Sequence, residues 1–145
     1  MTSAKSDLLE IGAALRLLAG RLNRRLRQNT DVPVGATALS ALSAVLSRGP
    51  LTVGQLAERE RVRPPTMTSM VAGLEARGLL ARRSDDSDRR LSWLECTEQG
   101  RELVLASRTQ GNLYLSRLLV RLTPLELDAV RTAVTALSRL LESEV

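Results

Sequence analysis

LTVGQLAERERVRPPTMTSMVAGLEARGLLARRSDDSDRRLSWLECTEQG, residues 51–100, is the stretch whose reading settles the fold. It opens on Thr52-Val53-Gly54-Gln55, a capping box in which the Thr52 hydroxyl and the Gln55 amide satisfy backbone donors that the first helical turn leaves orphaned. A short helix follows to about Glu60. Arg63-Pro64-Pro65 opens another, because a first turn tolerates proline: the missing N–H has no helical partner there anyway. Met67, Met70, Val71 and Leu74 recur at helical spacing, as core residues do, and Arg77-Gly78 ends the helix. The period then changes. Leu79 to Arg83 reads as a strand, Ser84 to Asp88 as a polar turn and Leu91 to Cys96 as the returning strand. Helix, tight turn, helix and hairpin is the order of a winged helix-turn-helix. In that architecture the second helix enters the major groove of DNA with its early residues at base edges.

Working outward, Leu8, Ile11, Leu15, Leu18, Leu22 and Leu26 form one stripe of an amphipathic N-terminal helix, with Arg21, Arg24, Arg25 and Arg27 beside it as a solvated face. Asn29 to Pro33 reads as a turn. Leu39, Leu42, Val45 and Leu46 give a second helix that stops at Arg48-Gly49-Pro50. On the other flank, Thr97 caps a long helix to about Leu122, with Leu103, Ala106, Leu113, Leu118 and Leu122 apolar. Thr123-Pro124-Leu125-Glu126 is a second capping box, with proline at the first helical position, and starts a last helix through Leu127, Val130, Val134, Leu137 and Leu141. The expectation is a mostly α chain with a small β-hairpin wing, forming a single domain over residues 1–145. Residues 51–101 are its winged part, and residues 1–48 and 102–145 form a helical dimerisation part. The terminal helices carry more apolar face than one winged unit covers. Leu8, Ile11, Leu15, Leu118, Leu122, Leu137 and Leu141 are therefore expected at a homodimer interface.

Composition narrows the function. The chain has 145 residues, no histidine and one cysteine, Cys96. That excludes Ser-His-Asp and Cys-His catalysis, His-based metal sites and an internal disulfide framework. No Gly-rich phosphate loop and no nucleophile–base pair is found, so neither an enzyme nor a cofactor is expected. No run is long and apolar enough for a membrane span and no signal peptide is visible, which points to a cytoplasmic protein. Basic residues number 21 against 16 acids, and all the basic ones except Lys5 are arginine. Arginine's planar fork suits phosphate and guanine, although a high-GC genome also produces this bias. The excess lies in residues 1–50; residues 51–101 are nearly balanced, with local clusters at Arg59, Arg61 and Arg63, at Arg82 and Arg83, and at Arg89 and Arg90.

Three segments together resemble the MarR family of winged-helix transcriptional regulators. They are LTVGQLAERERV, RPPTMTSMVAGLEARGLLAR, and DDSDRR followed by CTEQG. The helical flanks resemble that family's dimerisation region. The resemblance implies a homodimer on a pseudo-palindromic double-stranded DNA operator, most often a repressor, with recognition helices in successive major grooves and wings in flanking minor grooves. It implies that Pro65, Thr66, Thr68 and Ser69 face the groove, that Asp88 braces a wing arginine, and that Arg89 and Arg90 are the wing's DNA contacts. It also implies release by a small lipophilic effector. The expected site is a crevice lined by about Leu15 to Leu22, the second helix and the start of the fifth. Departures from the family pattern are Arg63 in place of a serine cap, Gly73 inside the recognition helix, Asp86 in place of a wing proline, and Cys96 in place of leucine. Arg63 in that position adds a candidate phosphate or guanine contact.

Two other functions fit parts of the sequence. The near-neutral charge of residues 51–101 suits a winged helix used as a protein-interaction module. Cys96 suits a thiol-sensing regulator, although an isolated cysteine is more often a small buried hydrophobe. Trp93 on the hairpin reads as a packing residue, since base stacking needs unstacked single strands. Asp85, Asp86 and Asp88 are candidate ion-pair partners of Arg89 and Arg90.

Overall fold

The computed structural model describes residues 2–85, 87, 88 and 91–142; Asp86, Arg89 and Arg90 lie outside them. Helix α1 (Thr2–Gln28) leads through a short connection to α2 (Ala36–Arg48). Then follow β1 (Leu51–Thr52), α3 (Val53–Arg59), α4 (Pro64–Ala76), β2 (Leu80–Ser84), β3 (Ser92–Cys96), α5 (Glu98–Leu119) and α6 (Pro124–Glu142). The strands make a small antiparallel sheet in the order β1-β3-β2.

Both capping boxes form. Thr52 Oγ1 accepts from the Gln55 N–H at 3.2 Å, and Gln55 Oε1 accepts from the Thr52 N–H at 2.9 Å. At α6, Thr123 Oγ1 accepts from the Glu126 N–H at 3.3 Å, and Glu126 Oε2 accepts from the Thr123 N–H at 2.8 Å. The bonds that Thr123 gives the Glu126 carboxyl, the backbone one first, hold it below its ordinary value. Helix α5 ends at Leu119, short of the expected Leu122. Val120, Arg121 and Leu122 close turns onto Ser116, Leu118 and Leu119. The residue before Pro124 resists helical geometry, so the chain leaves α5 before Thr123.

Strand β1 is not visible in the sequence pattern. Its two residues pair with β3, Leu51 with Leu94 and Thr52 with Trp93, so Thr52 both ends a strand and caps a helix. The β2–β3 hairpin runs one residue later than expected at its start, from Leu80 to Ser84, and returns from Ser92 rather than Leu91.

The buried apolar side chains are those of α2 (Ala41, Leu42, Ala44, Val45), α3 (Leu56, Ala57), α4 (Met67, Val71, Leu74), Leu79 and the hairpin (Leu80, Leu94), and Val104 of α5. Met67 is wholly buried and Met70 packs against the same cluster, as their helical spacing implies. Every one of these buried residues lies between positions 41 and 104. Among the described residues α1 and α6 bury none. The connection after α1 is tied to the body by two bonds. The Asp31 N–H donates to Gln110 Oε1 at 3.0 Å, and an Arg77 guanidinium nitrogen donates to the Pro33 carbonyl at 2.7 Å.

Where α5 meets the hairpin the backbones almost touch. Thr97 Oγ1 donates to the Gly78 carbonyl at 2.6 Å and accepts from the Gly100 N–H at 3.0 Å. A Cβ on Gly100 would stand 2.2 Å from the Leu79 carbonyl oxygen and 3.0 Å from Cys96 Sγ. Gly100 is thus required by close approach, which adds to its reading as a tight helix start.

Candidate nucleic-acid interface

The turn between α3 and α4 is built from backbone bonds alone. The Arg61 N–H donates to the Glu58 carbonyl and the Val62 N–H to the Ala57 carbonyl. To close it, Arg61 adopts φ +52°, the left-handed region, as the sole non-glycine residue of the described chain to do so. That conformation costs about 1–2 kcal/mol for an L-residue. Val62, half-buried, anchors the turn against the core.

Helix α4 begins at Arg63, whose backbone is extended and whose side chain makes no capping bond. A missing cap here costs less than the usual ~1 kcal/mol. Pro64 and Pro65 occupy the first two helical positions and carry no N–H, and the Met67 N–H is already bonded to the Arg63 carbonyl at 3.0 Å. Only the Thr66 N–H is left to be capped. Position 63 is thereby freed from a capping role, and an arginine there keeps its donors for something else.

Met67, Val71 and Leu74 turn inward, whereas Pro65, Thr66, Thr68, Ser69, Ala72 and Gly73 are exposed. The outward face is therefore small and hydroxyl-bearing. Thr68 Oγ1 donates to the Pro64 carbonyl at 2.9 Å, which spends its proton but leaves lone pairs outward. A Cβ on Gly73 would meet nothing within 4 Å, so packing does not require this glycine. Ala72 and Gly73 extend the low outer surface beyond the residues singled out in the sequence; their small size at i, i+4 spacing from Thr68 and Ser69 was the available signal.

Beside this helix stands the hairpin. Two of its arginines are committed within the chain. Arg82 Nε meets Glu75 Oε1 of α4 at 2.8 Å, and Arg83 Nε meets Glu95 Oε1 of β3 at 2.7 Å. These exposed pairs add little stability, but the first fixes the hairpin against α4, and together they partly neutralise an arginine cluster of the sequence. Arg89, Arg90 and Asp86 lie outside the described residues. The Asp88 N–H donates to Asp85 Oδ1 at 2.9 Å, and the Asp88 carbonyl accepts from the Leu91 N–H at 2.9 Å. Asp85 organises the turn as an Asx residue does, by accepting from backbone N–H groups two and three residues on. Trp93 does more than pack, because its indole N–H donates to Asp85 Oδ2 at 2.8 Å.

Behind the interface is a crevice of about 930 Å³. Its walls are the end of α1 (Asn23, Leu26, Arg27), the α1–α2 connection, α2, and the middle of α5 from Ser107 to Leu115. This differs from the expected lining. Leu15 to Leu22 take no part, because only the last turns of α1 return to the body. Glu60, at the end of α3, also reaches the crevice. Cys96 is half-buried, and burial pushes its thiol above the ordinary value, with Arg101 opposing and Glu98 adding to the shift. A raised value disfavours the thiolate that a thiol sensor requires. Among the described residues no group of acids and cysteine could hold a metal ion, and no helix is long and apolar enough to cross a membrane.

Comparison with known proteins agrees with this geometry. Residues 35–92 match the model of the MarR family. An HTH-type transcriptional regulator of Mycobacterium bovis, Mb0904, is 37% identical over 133 residues, which cover 91% of this chain and 93% of that protein. The HTH-type transcriptional repressor MdtR of Bacillus subtilis is 31% identical over 112 residues, covering 74% of this chain and 72% of MdtR. Among solved structures, a MarR family protein from Bacillus stearothermophilus superposes with a TM-score of 0.81 at 24% identity, covering 95% of this chain and 97% of that one. The chain belongs to the MarR family and is a DNA-binding transcriptional regulator of the winged helix-turn-helix type.

Proposed function

We propose that the protein is a homodimeric, sequence-specific repressor that binds a pseudo-palindromic operator and leaves it when a small lipophilic effector occupies the crevice. Residues 51–101 act as the DNA-binding part and the terminal helices as the dimerisation part. The observation that carries this reading is the outer face of α4. Arg63, Pro65, Thr66, Thr68 and Ser69 are all exposed there, and the Thr68 hydroxyl alone among their side chains is hydrogen-bonded to the described chain. A helix buried on one side by Met67, Val71 and Leu74, and small and hydrogen-bonding on the other, is suited to a major groove. Asp88, Arg89 and Arg90 belong to the wing, which meets the flanking minor groove. Dimerisation is supported by the terminal helices: Leu8, Ile11 and Leu141 are more than half exposed, Leu15 is 39% exposed, and Leu118, Leu122 and Leu137 are only partly covered. The repressor role is supported by the likeness to MdtR, and the effector role by the crevice between α1, α2 and α5, which also touches the helix-turn-helix at Glu60.

The test is selection of duplexes from a random pool by the purified full chain, then titration at several salt concentrations. The expected result is one preferred sequence with two half-sites, two chains per duplex, and affinity that falls steeply with salt. In a reporter strain, expression from a promoter carrying the selected site falls when the chain is produced. Failure of a folded chain to select any duplex at low salt would overturn the reading in favour of a protein-interaction module.

A further inference from the structure

The Asp85 carboxylate takes four donors. Oδ1 accepts from the Ser87 N–H at 2.9 Å, from the Ser87 hydroxyl, and from the Asp88 N–H at 2.9 Å. Oδ2 accepts from the Trp93 indole N–H at 2.8 Å. The Asp85 N–H also donates to the Leu91 carbonyl at 3.1 Å, across the mouth of the loop. A carboxylate offers about four lone-pair sites. Three of the four donors meet Oδ1 and one meets Oδ2, so the wing itself engages both oxygens of Asp85. Its bonds join the near end of the loop to strand β3, eight residues on.

We propose that Asp85 is the positioning residue of the wing: by clasping Ser87, Asp88 and the Trp93 indole it ties this part of the loop to strand β3 before a duplex arrives. This rests on the wing being a DNA contact. A loop ordered in the free protein loses less conformational freedom on binding, so the clasp raises affinity without touching DNA. The same donors, the Ser87 hydroxyl first and the Trp93 indole next, hold the Asp85 carboxyl well below the usual carboxylate range. A lowered value in the folded state means that the clasp is complete above the ordinary carboxylate value of about 3.9. It is lost only as pH falls through the lower, folded one.

The variant Asp85→Asn tests this, because charge and positioning act in opposite directions. The substituted amide keeps the size of the side chain but has one carbonyl oxygen, which cannot serve both Trp93 and the loop. The change also removes a negative charge beside phosphate, and that alone tightens duplex binding. Positioning predicts the reverse: affinity about 5- to 50-fold weaker, the range set by one or two side chains that must now be ordered on binding. The helical melting curve should be unchanged. Trp93 is the chain's one tryptophan, so its emission reports the clasp in the absence of DNA. It should shift in Asp85→Asn and stay constant in the parent from pH 8 to about 4. Trp93→Phe should weaken binding less than Asp85→Asn, and the double variant no more than Asp85→Asn alone. Equal or tighter duplex binding by Asp85→Asn, or emission that does not change, overturns the proposal. If the parent selects no duplex, the reading of the wing as a DNA contact fails, and the positioning role with it, whereas the emission arm still judges the clasp.

Discussion

At Gly100 a single hydrogen atom decides whether α5 can lie against the hairpin. Replacing glycine by alanine inside a helix usually gains roughly 0.5–1 kcal/mol. Here the added methyl would stand 2.2 Å from the Leu79 carbonyl oxygen, a backbone atom that also accepts the Thr97 N–H at 3.2 Å. The neighbour cannot rotate away, so the overpacking cost dominates. Gly100→Ala should destabilise the protein by about 1–3 kcal/mol in a urea melt; a gain in stability would mean that the hairpin and α5 are free to separate. Arg63 presents the converse case, a residue kept where another would stabilise more. Arg63→Ser supplies a cap, but with Pro64 and Pro65 lacking N–H groups only the Thr66 N–H benefits. The gain should be well under ~1 kcal/mol. Duplex affinity should fall by about 1–3 kcal/mol if the guanidinium reads a base. Titration of the two proteins on one operator measures this, and equal affinity would remove Arg63 from the interface.

The helix-turn-helix turn is tight at the expense of strain at Arg61. Glycine would take φ +52° without strain, yet an arginine stands there, exposed and with no ion pair among the described residues. A strained residue retained at a turn between two functional helices points to a role for its side chain. With Arg59 and Arg63 it belongs to the basic cluster of the sequence that leads into α4, suited to phosphate. Arg61→Gly should therefore raise stability by up to about 1 kcal/mol and reduce the salt slope of duplex binding by about 1. An unchanged slope would make Arg61 a turn residue only. Elements of this kind differ in how far the sequence discloses them. The two capping boxes span four residues each and were legible because all their partners are local. The inward face of α4 was legible because Met67, Val71 and Leu74 repeat at helical spacing. Strand β1 was not, because two residues become a strand only by pairing with the distant Trp93 and Leu94. The Trp93 bond of the Asp85 clasp was hidden for the same reason, because the hairpin register brings Trp93 back to it; the bonds from Ser87 and Asp88 are local. The pairing of Arg82 with Glu75 and of Arg83 with Glu95 likewise follows from register and from the α4–β2 approach, and no local pattern announces it.

Across the whole molecule, the core and the apolar stripes do not coincide. The buried residues lie between Ala41 and Val104, while the described parts of α1 and α6 bury nothing and expose leucine along their length: Leu8 and Leu9 at 70%, Leu18 at 60%, Leu141 at 66%. Helices of 27 and 19 residues with only a few half-buried side chains gain only marginal stability from their own backbone bonds. In the proposed homodimer a second copy of the chain would supply the missing face by two-fold symmetry, which would also space two α4 helices for one operator. Stability and DNA affinity should then depend on one contact. The melting temperature of the parent should rise with protein concentration, as mass action requires of a dimer. Leu137→Glu with Leu141→Glu places charge on the α6 stripe, outside the core and away from α4. Light scattering should find a single chain of 15.8 kDa in place of two. Duplex affinity should fall about 10²- to 10⁴-fold, the loss expected when two linked contacts become two separate ones. The hairpin and core would be untouched, so Trp93 emission should match the parent. A parent that is already monomeric at operator-binding concentrations, or a variant that binds the full operator as tightly, would place the unit of recognition in the single winged domain.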